Sequence, residues 1–234
     1  MILKDSTVCV TGGVEGLGAA LVELLVIMCK KIIVIDMQDQ KFFHEKIEFI
    51  KCNLNEELPE PREVDVFISN VGISIGNKEF KDVTLEEIEK AININCNVTL
   101  KFFKTWKFKK FVFINSVMSI RGTERYSLYC GCKAFIRIFN QSLQRENHDT
   151  MIVHPYKINT NMFNELKNKF LVLKKEYVAD QIIKGIEKDK KEIFLPKFFN
   201  IMEVTFGALP NFMANILINQ TFTKMLPSSA RTNE

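Results

Sequence analysis

Short apolar runs separated by polar turns divide the chain from its first residues. STVCV (6–10), Ile32–Ile35, IEFIKCN (47–53), VDVFISN (64–70), Phe111–Ile114, MIVHP (151–155) and EIFLP (192–196) read as seven buried strands. Between several of them the pattern turns helical. This happens after residue 16, from Leu85 to about Trp106, through Tyr129 and Ala134 to about Arg145, and over 178–187. Strands alternating with helices predict an α/β protein built on a doubly wound parallel sheet of about seven strands. The connections after strands two and three are too short for full helices. EELPEPREV (56–64) contains two prolines and holds only a stub.

This pattern assigns residues 1–196 to one domain. The first strand begins almost at Met1, which leaves no room for a signal peptide or an N-terminal anchor. Residues 197–227 form an apolar helical extension, and 228–234 a disordered tail. The run FFNIMEVTFGALPNFMANILI (198–218) is long enough to span a membrane, but Glu203, Pro210, Asn211 and Asn215 argue against a span. Two short amphipathic helices broken near Pro210 fit better. They either pack on the core and cover a substrate pocket, or rest on a lipid surface through Phe199, Met202, Phe206, Phe212 and Met213.

Composition narrows the function. With 234 residues, a net charge of +4 and no basic tract, the chain lacks the footprint of a nucleic-acid binder. Cys9, Cys29, Cys52, Cys96, Cys130 and Cys132 are scattered without a C-x-x-C pair, mostly in apolar runs. His44, His148 and His154 show no ligand spacing, so no metal site is expected. A reducing compartment suits such cysteines, and the cytoplasm is the expected location.

Two stretches carry chemistry. In TGGVEGLG, Gly12, Gly16 and Gly18 lie between a strand and a helix, where a tight turn directs free N–H groups at a pyrophosphate. Asp36 ends the next strand, 18 residues past the last glycine, near the spacing for an acid that binds a ribose diol. Its carboxylate repels an additional phosphate, and Glu15 adds a second negative charge, so NAD is favoured over NADP. The second stretch is FVFINSVMSIRGTERYSLYCGCK (111–133). Ser116 stands where a strand stops, and Tyr129 and Lys133 share a helix face at i, i+4. A lysine ammonium beside a phenol favours the phenolate. A serine hydroxyl can hold a carbonyl or hydroxyl oxygen while the tyrosine gives or takes its proton. Asn95, midway along a helix, either distorts it by local hydrogen bonding or binds a water that relays protons to Lys133.

Together these residues resemble the short-chain dehydrogenase/reductase family in its classical form, over about residues 6–196, and the resemblance implies a Rossmann-like fold. Thr11, Gly12, Gly16, Leu17 and Gly18 match its glycine motif. Asn70-Val71-Gly72 stands for its NNAG, and Asn95, Ser116, Tyr129 and Lys133 match its tetrad. Asn53 and Leu54 fall where the family contacts the adenine. Pro155 and Thr160 match its strand-six motif, with Tyr156 in place of the usual glycine. YCGCK and the segment after residue 185 are similar to the retinol and 17β-hydroxysteroid (type 11-like) branch, enzymes of membranes and lipid droplets. The resemblance implies cofactor contacts at these positions and a lipophilic alcohol or ketone as substrate. It also implies a location at the cytosolic face of the endoplasmic reticulum or lipid droplets. The family's dimer interface uses the Asn95 helix, which reads as shortened here, and that counts against a homodimer. Two other functions fit less well: an NADPH-dependent reductase of 3-keto long-chain lipids such as 3-ketosphinganine, and a non-catalytic cofactor-binding scaffold at a lipid surface.

Overall fold

The computed structural model describes residues 3–163, 171–201, and positions 205, 209, 210, 212, 213 and 216. Seven strands form one sheet: β1 (Thr7–Thr11), β2 (Lys31–Asp36), β3 (Ile47–Lys51), β4 (Glu63–Ser69), β5 (Lys107–Ile114), β6 (Thr150–Pro155) and β7 (Glu192–Leu195). Their order is β3-β2-β1-β4-β5-β6-β7, and every pairing is parallel. The order reverses between β1 and β4, the place where a parallel sheet opens a crevice at its C-terminal edge. Thr11, Asn70, Ser116 and Pro155 all fall at that edge.

Helices α1 (Gly16–Met28) and α5 (Lys175–Glu187) cover one face, where Leu21, Leu25 and Ile182 meet Val10, Val112 and Met151. On the other face lie α2 (Leu85–Ile92), α3 (Val98–Thr105) and α4 (Ser127–Arg145). Its core is rich in aromatic rings. Phe67 stacks on Phe111 at 5.0 Å, with Phe102 and Trp106 packed on Phe67 at 4.9 and 5.2 Å. All six cysteines are buried and free.

The connections β2–β3 and β3–β4 carry no helix. The chain from Leu85 to Thr105 is helical throughout, so the helix bearing Asn95 is not shortened. It starts on a capping box: Thr84 accepts from the Glu87 amide, and Glu87 accepts from the Thr84 amide. Between α2 and α3 it widens into a π turn, Asn93–Asn97. α5 begins at Lys175, before the apolar run that marks it in the sequence. β5 begins at Lys107, four residues before its apolar run, because its first residues pair with β4 from Glu63.

Lys110, on that early part of β5, is 1% exposed. Its ammonium reaches Asp149 Oδ1 at 2.5 Å and Asp189 Oδ1 at 2.7 Å, tying β5 to the segments that precede β6 and β7. A buried ammonium is tolerated only with such partners. Of the two alternatives for the C-terminal segment, Phe199 follows the packed one: it is 3% exposed and packs with Val117, Tyr156 and Phe194 rather than facing a lipid rim. Its ring stacks on Tyr156 at 5.2 Å, because Tyr156 fills the space that a glycine would leave. Phe212 and Met213 are exposed, while Met202, Phe206 and residues 217–234 lie outside the described residues.

Lys110→Ala removes both ion pairs and leaves a void, and a loss of about 3 kcal/mol is expected in urea unfolding at neutral pH. The Lys110 hydrogen bond holds the Asp189 carboxyl below the usual range. A depressed carboxyl stabilises the fold above its unfolded pKa, and that contribution disappears as pH falls through the native value. The difference between wild type and variant therefore narrows in acid; a difference that is constant with pH would contradict the pairing.

Candidate active site

The glycine turn is held by side chains from the neighbouring strand end. Thr11 Oγ1 accepts from the amides of Asn70 and Val71, both at 3.0 Å. Asn70 Nδ2 donates to the carbonyls of Thr11 and Gly12, also at 3.0 Å. A methyl group on Gly18 would stand 1.8 Å from the Gly12 oxygen, so only glycine lets α1 start this close to β1. Gly16 takes a φ of +57°, in the left-handed region. The amides at the start of α1 thus open toward the crevice.

Asp36 is buried and accepts from the amides of Val14 and Gln38, each at 3.0 Å. Glu15, read from the sequence as a second repelling charge, is ion-paired with Lys41. That neighbour offsets its charge. Asn53 donates to Glu56 Oε1 at 2.7 Å and accepts from the Asn55 amide at 3.2 Å, which shapes a turn beside the crevice.

At the other end, Ser116 follows β5, while Tyr129 and Lys133 share the inner face of α4. Ser116 Oγ accepts from the Met118 amide at 3.2 Å. Lys133 Nζ donates to the Ile114 carbonyl at 2.9 Å and lies 5.7 Å from the centre of the Tyr129 ring. Asn95 makes no local helix bond. Its amide accepts from Ile73 N and donates to Ile73 O, both at 3.0 Å, and so pins the loop after β4. At Gly72 a methyl group would come 3.1 Å from Asn95 Oδ1 and 3.6 Å from Lys133 Nζ, so the glycine leaves room for both.

Burial dominates the titration of this end. It pushes the Tyr129 phenol well above its ordinary value, partly offset by a hydrogen bond with Ser116. It pushes Lys133 down to about 8. The lowering of Tyr129 by Lys133, expected from their spacing, is not among the influences on the phenol, whose shift is set by the loss of solvent.

One cavity of about 590 Å³ runs between the two ends. Gly12, Gly16, Leu17, Asp36, Asn53, Leu54, Asn70, Gly72, Ser116, Tyr129, Lys133, Pro155 and Thr160 line it. Thr11, Gly18 and Asn95 stand behind its wall as supports. Several lining residues escaped the sequence reading. Asn115 directly precedes Ser116, and its Oδ1 is buried without a partner among the described residues. Phe163 meets Tyr129 edge-on at 5.3 Å and Tyr126 at 5.8 Å, and no spacing rule marks it. Ile73, Tyr156 and Met162 complete an apolar wall beside Tyr129. The open helix start, the acid at β2 and the orphaned Asn115 oxygen fit a dinucleotide with its reactive ring near Tyr129.

Replacing Lys133 by Met removes a penalised ammonium. At pH 7 the variant is expected to gain up to about 3 kcal/mol, as read by thermal or urea unfolding. The native lysine loses its proton near pH 8 while the unfolded one keeps it up to 10.5. Wild-type stability therefore rises across that window, and the gain shrinks with it. A gain that does not vary with pH would contradict the burial penalty.

Residues 6–170 match the family model for short chain dehydrogenase. Human epidermal retinol dehydrogenase 2 is 26% identical over 176 residues, covering 64% of this chain and 54% of that protein. Mouse 17-beta-hydroxysteroid dehydrogenase type 3 is 26% identical over 197 residues, covering 78% and 59%. The chain thus spans little more than half the length of these curated relatives. A crystal structure of a short chain dehydrogenase from Burkholderia cenocepacia in complex with NADP aligns at a TM-score of 0.76 and 14% identity, covering 97% of this chain and all of that one, which shows a common fold. With the match extending over most of the chain, from β1 past the strand-six motif, this protein belongs to the short-chain dehydrogenase/reductase family.

Proposed function

We propose that the chain is an NAD(H)-dependent oxidoreductase acting on a lipophilic alcohol or ketone. The observation that carries this reading is a single cavity with the glycine turn and Asp36 at one end and Ser116, Tyr129 and Lys133 at the other. The dinucleotide, when bound, supplies or takes the hydride. Tyr129 gives or takes the proton of the substrate oxygen, and Ser116 orients that oxygen. Lys133 supplies positive potential next to the phenol and a donor toward a ribose. Asn95 holds the wall at Ile73 and, in this reading, completes a proton relay to Lys133. At the other end, the start of α1 and Asp36 take the pyrophosphate and ribose, with Asn53 and Leu54 beside the adenine. Ile73, Tyr156, Met162 and Phe163 support an apolar substrate.

Asp36 favours NAD over NADP. The second reading, an NADPH-dependent reductase of keto lipids, draws support from the Lys41 ammonium next to Glu15, which softens repulsion of an additional phosphate. Phe198, Ile201, Phe212 and Ile216 are exposed, which supports peripheral contact of the C-terminal segment with a membrane or lipid droplet. Among the described residues no helix is long and apolar enough to cross a membrane. A cytosolic location on such a surface agrees with this reading. The exposed Phe135 and Ile138 on α4 support pairing of two copies through that face.

Tyr129→Phe is expected to lower turnover by at least about 10³-fold while the NADH affinity, read by fluorescence titration, changes little. Retained turnover would sink the assignment. Parallel titrations with NADH and NADPH are expected to favour NADH, and tighter NADPH binding would put the keto-lipid reductase first. The full chain is expected to float with anionic liposomes, and Phe212→Glu with Ile216→Glu to reduce that flotation. Equal flotation of the two proteins would remove the lipid contact.

A further inference from the structure

Directly before Pro155, His154 ends up fully buried at the C-terminal edge of β6. The sequence motifs leave it without a role. Its ring is fixed on both sides. It stacks on Phe194 of β7 at 4.4 Å with planes 12° apart. Nε2 meets Glu192 Oε1, at the start of β7, at 2.8 Å. Nδ1 faces the chain that follows β5: the Ser116 carbonyl at 3.3 Å, Ser119 Oγ at 3.2 Å and Asn115 Nδ2 at 3.4 Å. Ser119 closes the group by donating its hydroxyl to the Ser116 carbonyl at 2.7 Å. The residue that carries the Ser116 hydroxyl is thus held through its own backbone.

We propose that His154, oriented by Glu192, is a positioning residue for Ser116. The ring holds the turn 115–119 so that the Ser116 hydroxyl stays aimed at Tyr129. This rests on the reading of Ser116 as the group that orients the substrate oxygen. The carboxylate fixes the tautomer. Glu192 accepts from Nε2–H, so Nδ1 of the neutral ring accepts from the Asn115 side-chain amide, while the Ser119 hydroxyl is donated to the Ser116 carbonyl. Ring protonation changes the pattern, since Nδ1–H then donates and the Ser116 carbonyl becomes its best partner. The charged groups around the ring are Glu192 of β7 and Arg137 of α4; the turn after β5 presents only uncharged groups. Burial pushes the ring below the ordinary histidine value, and the Glu192 hydrogen bond opposes that push.

The test uses the full chain and has two readouts. With only three histidines, ring NMR signals follow His154 from about pH 5 to 9. The amide signals of Met118 and Ser119 are followed in the same samples. They are expected to shift with the midpoint of the His154 ring. In His154→Asn, which keeps a polar group near Nδ1, the titration vanishes and the amides stay near their wild-type positions. In His154→Phe, which keeps the stacking alone, they move. Met118 and Ser119 amides that ignore both the titration and His154→Phe overturn the proposal. The second readout is kinetic, with decan-2-ol as probe. His154→Phe and Glu192→Ala are expected to change kcat/KM by about tenfold. The NADH dissociation constant stays within about twofold, and His154→Asn recovers most of the rate. An equal loss of NADH binding and turnover would show a merely structural role and also overturn it. Wild-type inactivity on the probe would count against the substrate reading alone, and the NMR readout then decides for or against His154.

Discussion

A parallel sheet leaves backbone donors and acceptors without ladder partners at its C-terminal edge, and every one that is buried must find another partner. In this protein the side chains at that edge supply them. Thr11 and Asn70 lace the ends of β1 and β4 together. Asp36 takes two amides, Asn95 satisfies both polar groups of Ile73, and Lys133 takes the Ile114 carbonyl. The residues that give the crevice its chemistry are therefore the ones that keep its backbone satisfied. This dual use sets their positions, because a side chain bound to two backbone groups has little freedom left.

The strands were legible because each is a short apolar run, buried over most of its length in every strand except the half-buried edge strand β3, as parallel strands between helices tend to be. The start of β5 was not. Its four residues Lys107–Lys110 include three lysines and read as a solvated stretch, yet Lys110 is fully buried between two carboxylates far away in sequence. No local pattern announces such a partner. The helix over 85–105 was legible from its period, whereas the π turn that carries Asn95 was not, since a one-residue widening leaves the apolar period almost unchanged. The glycines and the Tyr129–Lys133 pair stood out because one turn and one helix dictate their spacing, whereas Asn95 lies on another helix and Ser116 at a strand end. Asn115, His154 and Phe163 reach the crevice region by tertiary contact alone, and nothing in their spacing sets them apart.

The sequence was misleading where a charge or an apolar ring had an unseen neighbour. Glu15 counted as a free carboxylate until Lys41 came next to it. Phe199 stood open between core and lipid rim until Tyr156 was found beneath it. The second case has a structural consequence. Tyr156 follows the strand-six proline and lines the crevice, Val117 follows Ser116, and Phe199 joins them in one cluster. The start of the C-terminal segment is thereby attached to the wall of the crevice, so its placement and the shape of the apolar end are coupled.

Burial drives Tyr129 and Lys133 toward their neutral forms, the phenol by holding its proton and the amine by giving one up. Their shifts have one cause and opposite directions. A phenolate in this cavity needs a positive neighbour, and an ammonium in the same cavity is penalised without a negative one. Opposite charges one helix turn apart make each other less costly. With Lys133 near 8, a modest gain in negative potential nearby suffices to keep the ammonium charged. Helix α4 fixes the two side chains one turn apart, and the Ile114 carbonyl keeps the ammonium pointed into the crevice. The i, i+4 spacing therefore brings the two groups together where burial makes any charge between them count for more than on a solvated helix face.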